Sequence, residues 1–186
     1  MLLEESARRI EALMDAGEAL PLSDLIPVLD VLSSSSAEYS ENLIEGILAA
    51  VVAESPSDIP PPLLCRLCKA ISLQPASRSS TAHALSHVGQ AVRDSDPALF
   101  NPAHLAAIAA SVARMQEQWP DDSELDPTTV LKALSGQTTA RASSLYTRHT
   151  ARVILQTFMS AEMPDDPAVT HLERIAKGRP TLKADS

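Results

Sequence analysis

Along most of the chain, apolar residues recur with the spacing of amphipathic α-helices, and polar residues occupy the positions between them. In the opening segment the apolar residues recur every three or four positions, at Leu3, Ala7, Ile10 and Met14. This spacing places them on one face of a helix. The same pattern predicts nine helices separated by short polar or proline-containing segments. They run near 3–16, 22–33, 40–54, 61–73, 79–94, 102–116, 127–135, 141–160 and 167–177.

Asx-Pro pairs mark several of the predicted helix starts. An Asp or Asn at the N-cap accepts a hydrogen bond from the first turn, and Pro is tolerated at the next position because that N–H has no helical partner. The pairs are Asn101-Pro102, Asp126-Pro127 and Asp166-Pro167. Three prolines after Asp58 predict a further start near residue 61. Glycine suits the position after a helix end, which predicts ends at Gly17, Gly136 and Gly178.

The predicted helix starts repeat at a nearly constant interval. Alternate helices begin near 22, 61, 102 and 141, and their partners begin near 40, 79, 127 and 167. A two-helix unit with this period is typical of α-solenoids. The predicted fold class is therefore all-α, a right-handed solenoid of about four helix hairpins with a period of about 39–41 residues, plus an N-terminal helix.

Residues 1–186 are accordingly predicted to form a single helical-repeat domain. Its repeats are expected at about 22–58, 59–99, 100–138 and 139–180. A bundle of four unrelated hairpins is the alternative, because two helices with two loops make about 40 residues in any fold. The composition agrees with either helical fold, since apolar residues make up 45% of the chain and aromatic residues 3%.

The sequence does not contain the motifs of common enzyme classes or of a membrane span. It has no glycine-rich phosphate loop, no G-x-S-x-G, no H-E-x-x-H and no dinucleotide fingerprint. No apolar run approaches the roughly 18 residues that a membrane helix needs. We therefore expect neither an enzyme with a small-molecule substrate nor a membrane protein.

Charge is unevenly distributed along the chain, whose net charge is −9. Residues 1–58 hold twelve acidic and two basic residues, and residues 117–126 hold five acidic residues and no basic one. Residues 127–161 hold four basic residues and no acidic one. Nucleic-acid binding by overall charge is disfavoured, so an RNA contact is expected only in a locally basic stretch.

The 127–161 segment is the candidate RNA-binding or partner-binding stretch. Its candidate residues are Arg141, Tyr146, Arg148, His149 and Arg152. Arg148 and Arg152 lie one helical turn apart, and neighbouring hydroxyl groups can add phosphate contacts. In the alternative interpretation these arginines pair with the acidic loop 121–126 or with a neighbouring subunit.

Trp119 lies in a proline-containing acidic loop and is a further candidate. It can anchor a partner, because Trp is enriched at interface hot spots. In the interpretation that we favour, it folds back to cover the end of the core.

Cys65, Cys68, His83 and His87 have the spacing C-x2-C-x14-H-x3-H, which falls within the range of zinc sites. If the helices that carry them form a hairpin, the two pairs lie at similar heights. However, the apolar stripes of both helices leave Cys65 and His83 pointing mostly away from the hairpin interface. We therefore favour a half-buried cysteine pair with surface histidines, and expect no cofactor.

Residues 100–115 resemble the helix that opens a repeat in organellar helical-repeat proteins of the FAST kinase-like and octotricopeptide type. The matching residues are Phe100, Asn101, Pro102, Leu105, Ala106, Ala113, Arg114 and Met115. Ala110 departs from the pattern, in which Trp is frequent. The resemblance implies an α-solenoid in mitochondria or plastids that takes part in RNA processing or ribonucleoprotein assembly.

The predicted function is a non-catalytic interaction module, a scaffold or adaptor subunit with protein partners. The alternatives are direct RNA binding through 127–161 and a secreted bacterial effector or adaptor domain. Two cysteines and an opening that resembles neither a secretory signal nor a transit peptide indicate a reducing intracellular compartment. That compartment is mitochondrial if the resemblance holds and otherwise cytoplasmic, and the chain is expected to be a mature form or a fragment.

Overall fold

The computed structural model describes residues 2–34, 41–75, 79–120 and 125–177, and the regular structure within these ranges is helical. The α-helices are α1 (Leu2–Asp15), α2 (Leu22–Ser34), α3 (Glu41–Ala53), α4 (Pro61–Ile71), α5 (Ser79–Asp94), α6 (Pro102–Gln118), α7 (Thr128–Ala140), α8 (Arg148–Ser160) and α9 (Pro167–Ala176). Three 3₁₀ turns, Pro56–Asp58, Pro97–Leu99 and Ser143–Leu145, precede α4, α6 and α8. The all-α prediction is confirmed for these residues.

The helices pack in sequence order in two rows. In one row α2 contacts α4, α4 contacts α6, and α6 contacts α8. In the other row α3 contacts α5, α5 contacts α7, and α7 contacts α9, while α1 lies against α3. Each even-numbered helix from α2 to α8 also packs on the helix that follows it. The buried core therefore runs continuously from the first helix pair to the last.

Polar bonds between successive helices of a row join residues that are 39 to 48 positions apart along the chain. Lys69 donates to Asp30 at 2.7 Å, a separation of 39 residues along the chain. Between α6 and α8, the Thr157 hydroxyl donates to the Ala109 carbonyl at 3.3 Å over 48 residues. In the other row Gln137, buried in α7, donates to the Val92 carbonyl at the end of α5 at 2.6 Å over 45 residues. Polar bonds therefore tie successive helices together in both rows.

An apolar residue two positions before each even-numbered helix packs onto that helix. Ile59, Phe100 and Tyr146 occupy this position before α4, α6 and α8, and all three are buried. The fourth helical residue in each case is Leu64, Leu105 or Ala151, also buried. This is the hydrophobic staple arrangement, which fixes the angle at which a chain enters a helix. Leu20 and Leu25 hold the same positions at α2 and belong to the core.

Two predicted boundaries near α7 and α8 are wrong. Gly136 does not end α7, which continues to Ala140 because Gln137 and Thr138 in the following turn are buried. Helix α8 begins at Arg148 and not near 141, since the 3₁₀ turn Ser143–Leu145 and the staple residue Tyr146 come first. The third interval between even-numbered helix starts is consequently longer than predicted. Gly178 lies outside the described residues.

The Asx-Pro predictions are supported by side-chain caps. The Asn101 side chain accepts a bond from the His104 N–H at 2.8 Å. The Asp166 side chain accepts from the Ala168 N–H at 2.8 Å. Asp126 accepts from the Thr128 N–H at 2.9 Å, but α7 begins at Thr128, so Pro127 holds the N-cap position and the helix starts one residue later than predicted. Asp58 instead ends a 3₁₀ turn, and Pro60 precedes α4 without a side-chain cap.

Helix α8 ends with a left-handed residue that is not glycine. Glu162 has a φ of 55°. The Met163 N–H donates to the Phe158 carbonyl at 3.0 Å and the Glu162 N–H to the Met159 carbonyl at 3.2 Å, which is the Schellman ending. Helix α1 ends in the same way, as predicted, with Gly17 at a φ of 75°.

We expect Glu162→Gly to raise the free energy of unfolding by about 1 kcal/mol, because glycine adopts the left-handed conformation without steric cost. Gly17→Ala, the reverse change at the end of α1, is expected to lower it by a similar amount. Urea unfolding followed by circular dichroism measures both. A loss of stability in Glu162→Gly would mean that contacts of the glutamate outweigh the backbone strain.

Candidate interaction surface

The basic segment 127–161 is divided between the two rows of helices. Lys132 is exposed on α7, whereas Arg148 and Arg152 are exposed on α8, in the other row. Arg141 follows α7 and is half-buried, and its Nε has no hydrogen-bond partner among the described residues. The segment is therefore not one continuous surface.

Tyr146 is a core residue and is not available to stack on a nucleobase. It is 7% exposed, and its hydroxyl donates to the Thr138 carbonyl at 3.0 Å. Its ring meets the His171 ring edge to face, with 5.9 Å between the ring centroids. Burial raises the pKa of Tyr146. Of the candidate residues on this segment, Arg148, His149 and Arg152 form the exposed group.

Basic residues gather on the outer face of three successive helices of one row. Helices α4, α6 and α8 together carry Arg66, Lys69, Arg114, Arg148 and Arg152, with Glu117 as their one acidic residue. We call this surface the basic face. It was missed in the sequence because its members come from segments about 40 residues apart, and only the packing of the row brings them together.

A shallow groove runs across the basic face from α4 to α8. Between α4 and α6 it is lined by Cys65, Arg66, Lys69, Ala107, Ala110, Ser111 and Arg114. Between α6 and α8 it is lined by residues that include Ala110, Arg114, Val153, Gln156 and Met159. Ala110 and Arg114 belong to both parts, so the two depressions meet over α6. We call the whole depression the α4–α8 groove.

The basic side chains that line the groove differ in whether they already have an ion-pair partner. Lys69 forms an ion pair with Asp30 at 2.7 Å. Neither Arg66 nor Arg114 has an ion-pair partner within the part of the chain that the structure describes. Glu117 lines the groove one turn beyond Arg114. The two arginines are consequently the groups best placed to meet an anionic ligand.

Trp119 folds back onto the core, as favoured in the sequence. It is 7% exposed, and its indole N–H donates to the Gln74 carbonyl just beyond α4 at 3.0 Å. The bond spans 45 residues and joins two successive helix pairs. Of the acidic loop 121–126 proposed to pair with the arginines, residues 121–124 lie outside the described residues.

The two cysteines face α6 and not the histidines of α5. The Cys65 thiol donates to the His104 carbonyl at 3.5 Å, and the Cys68 thiol approaches the Ile108 carbonyl at 4.0 Å. The prediction of a half-buried cysteine pair with surface histidines holds for Cys65 and His83. It is wrong for Cys68 and for His87 on α5, because both are buried. Within the described ranges no three His, Cys, Asp or Glu side chains are grouped closely enough to hold a metal ion.

Burial raises the pKa of the Cys65 thiol to about 11 and that of Cys68 to about 12. Because the thiolate is the reactive form, we expect both residues to resist N-ethylmaleimide at pH 8 in the folded protein. Cys65, which is half-buried, should react before Cys68. Mass spectrometry of native and urea-unfolded samples gives the comparison. Equally fast labelling in the two samples would contradict the packing of α4 against α6.

Burial also lowers the pKa of His87, His104 and His171 below the usual value of 6.5. His87 is 6% exposed, and its Nε2 has no hydrogen-bond partner among the described residues. Below pH 6.5 the unfolded chain binds protons that the folded chain does not, so the folded state loses stability as the pH falls.

The free energy of unfolding is therefore expected to fall below pH 6.5, by at most about 1.4 kcal/mol per pH unit for each such histidine. His87→Gln should reduce this slope. The matched control is His83→Gln, at an exposed position one turn away on the same helix. Urea unfolding at pH 5.5, 6.5 and 7.5 tests both variants, and equal slopes in all three proteins would contradict the role of His87.

None of the helices in the described ranges is long and apolar enough to cross a lipid bilayer. No protein-family model, curated protein or solved structure matches the chain. The similarity of residues 100–115 to organellar repeat proteins therefore stays a prediction.

Proposed function

We propose that this chain is a non-catalytic helical-repeat interaction module, a scaffold or adaptor that binds protein partners. The observation that carries the proposal is the order of packing, in which each helix of a row contacts the next helix of that row. This order supports an α-solenoid of four helix hairpins, α2–α3, α4–α5, α6–α7 and α8–α9, preceded by α1.

A solenoid suits binding because each repeat contacts only its neighbours and the outer faces of the rows remain open. Some polar groups that the stack buries bond to the neighbouring helix pair: the Gln137 amide, for example, donates to the Val92 and Ser95 carbonyls. The basic face offers charge and short apolar side chains on three adjacent helices, and these are features of a binding surface.

Direct RNA binding is the second candidate, and the five basic residues of the basic face favour it. Single-stranded RNA is commonly bound by stacking of bases on aromatic side chains as well as by phosphate contacts. Phe100, Trp119, Tyr146 and Phe158 are all buried, so a protein partner is the better supported of the two. An organellar ribonucleoprotein assembly is the setting that the resemblance implies.

Affinity purification of the tagged chain from native extract, with and without ribonuclease, tests the proposal. We expect the same protein partner to co-purify in both samples and to form a complex of fixed stoichiometry with the purified chain. A partner lost after ribonuclease treatment would favour the RNA candidate. Failure of every recovered protein to bind the purified chain directly would overturn the interaction-module proposal.

A further inference from the structure

We propose that the α4–α8 groove binds a short extended segment of a partner protein in which acidic and apolar side chains alternate. The inference rests on the proposed function and adds the chemistry of the ligand and the place where it binds. Three properties of the groove carry it, namely an apolar floor, cations on its α4 side and at its centre, and a span that matches a short peptide.

The floor of the groove is apolar, and at its centre, over α6, it is formed by short side chains. Ala107 lines the depression between α4 and α6, and Ala110 lines both depressions. Both are exposed on α6, and their short side chains let a ligand cross this helix. Val153 and Met159 continue the apolar lining toward α8, where Met159 is 50% exposed. Alternate side chains of an extended peptide point to opposite sides, so every second residue can rest on this floor.

Basic side chains line the groove within reach of the remaining, acidic side chains of such a peptide. Arg66 lines the α4 side of the groove, and Arg114 lines both depressions at its centre. Arg guanidinium groups bind carboxylates through paired hydrogen bonds. Arg148 and Arg152 are exposed on α8 outside the groove lining and add positive charge to that helix. Glu117 is the acidic group in the groove, and we expect the ligand's carboxylates to lie toward Arg66 and Arg114, away from it.

The length of the groove sets the length of the ligand. Packed helices lie roughly 8–10 Å apart, so the distance across two steps, from α4 to α8, is roughly 16–20 Å. An extended chain rises about 3.3 Å per residue, and about five or six residues therefore cross the groove. An eight-residue peptide is long enough to test it.

Nucleic acid fits the groove less well than an acidic peptide does. Among the described residues no aromatic side chain lines the groove for a base to stack on, and much of its floor is apolar. The chain as a whole has a net charge of −9, which repels a long polyanion more than a short peptide. A second copy of the chain is a further possible occupant, because residues 1–58 are strongly acidic, and the experiment includes it as an outcome.

Fluorescence anisotropy with labelled probes tests the proposal. The probe is an eight-residue peptide in which Glu alternates with Leu, and the comparison probes are the Lys/Leu peptide and a ten-nucleotide oligouridine. We expect the acidic peptide to bind, to be displaced by added salt, and to bind more tightly than either comparison probe. No saturable binding of the acidic peptide, or tighter binding of the oligouridine, would overturn the proposal.

Charge-reversal variants locate the binding site. Arg66→Glu combined with Arg114→Glu is expected to weaken peptide binding at least tenfold. The matched control is Arg93→Glu combined with Lys132→Glu, which changes the net charge by the same amount on adjacent helices of the other row, α5 and α7. We expect a change of less than threefold in the control. Equal losses of peptide affinity in the two double variants would overturn the assignment of the binding site to the α4–α8 groove.

A steric variant keeps the test valid if charge reversal disturbs folding. Ala110→Trp fills the junction of the two depressions without a change in charge, and is expected to weaken binding at least tenfold. Ala49→Trp, at an exposed alanine of α3, is its control and should bind as the wild type does. Circular dichroism verifies the fold of each variant, and unchanged binding by a folded Ala110→Trp protein would contradict the groove.

Two further measurements separate the possible failures. If sedimentation shows a dimer that the Arg66/Arg114 variant loses, the occupant is a second copy and the partner-peptide proposal is wrong. If the variant retains the partner that the wild type binds directly, the groove proposal fails while the proposed interaction function stands. If the purified wild type binds no protein directly, the proposed function itself fails.

Discussion

Phe100→Ala is expected to lower the free energy of unfolding by about 3–5 kcal/mol, the usual cost of removing a buried phenylalanine. Phe100 is fully buried between the 3₁₀ turn Pro97–Leu99 and α6. Its side chain occupies the staple position that pairs with Leu105. Its removal therefore leaves a cavity, and the angle at which the chain enters α6 is no longer fixed. Because α6 contacts α4, α7 and α8, the damage should extend to both neighbouring helix pairs.

The preceding residue provides the matched control. Leu99 is 60% exposed at the end of the same turn, and Leu99→Ala should change stability by less than about 0.5 kcal/mol. Urea unfolding followed by circular dichroism measures both variants. Similar losses for the two substitutions would contradict the staple arrangement, since only one of the side chains is part of the core.

Trp119→Ala has the second large expected effect, a loss of about 3–5 kcal/mol. The indole ring closes the C-terminal end of α6 and is hydrogen-bonded to the Gln74 carbonyl beyond α4. Trp119→Phe keeps an aromatic ring and loses the N–H donor, leaving that carbonyl without this bond. We expect this conservative change to cost about 1–3 kcal/mol.

Chemical unfolding followed by circular dichroism measures the Trp119 variants, and partner binding is measured beside it. The protein has one tryptophan, so acrylamide quenching of its fluorescence reports the burial of this side chain directly in the wild type. Wild-type stability of Trp119→Ala together with reduced partner binding would indicate a partner anchor, the interpretation that burial of the ring disfavours.

Helix positions could be predicted well where a local signal defines them. Asn101 and Asp166 cap their helices through bonds that depend on residues next to them in the sequence. The end of α7 depended on distant contacts, because Gln137 bonds to the Val92 carbonyl of α5 and to the Ser95 carbonyl just beyond it, and the helix continues through Gly136. The start of α8 was missed since Ser143–Leu145 forms a turn without the proline found in the two earlier turns.

The candidate site was less accessible to sequence reasoning. Arg148 and Arg152 lie on one helix, as predicted, and both side chains are exposed. Tyr146, which lies two residues before that helix, is instead part of the core. Nothing in the local sequence distinguishes a buried staple tyrosine from an exposed one. Arg66 was not singled out, and Arg114 was named only for the resemblance and not as a binding residue, because their proximity follows from the packing of α4 on α6.

The distance between the first and last helices of one row tests the stacked arrangement most directly. Spin labels at Val31→Cys on α2 and Gln156→Cys on α8, both exposed positions, can be introduced with Cys65→Ser and Cys68→Ala. Three steps between neighbouring helices predict a separation of roughly 24–30 Å between the helix axes. Electron–electron double resonance measures the distance between the two labels. We expect a single distribution of distances near this range, with a width set by the flexible label side chains. A distance below about 15 Å would place α2 beside α8, as in a closed bundle, and would contradict both the repeat stack and the open α4–α8 groove.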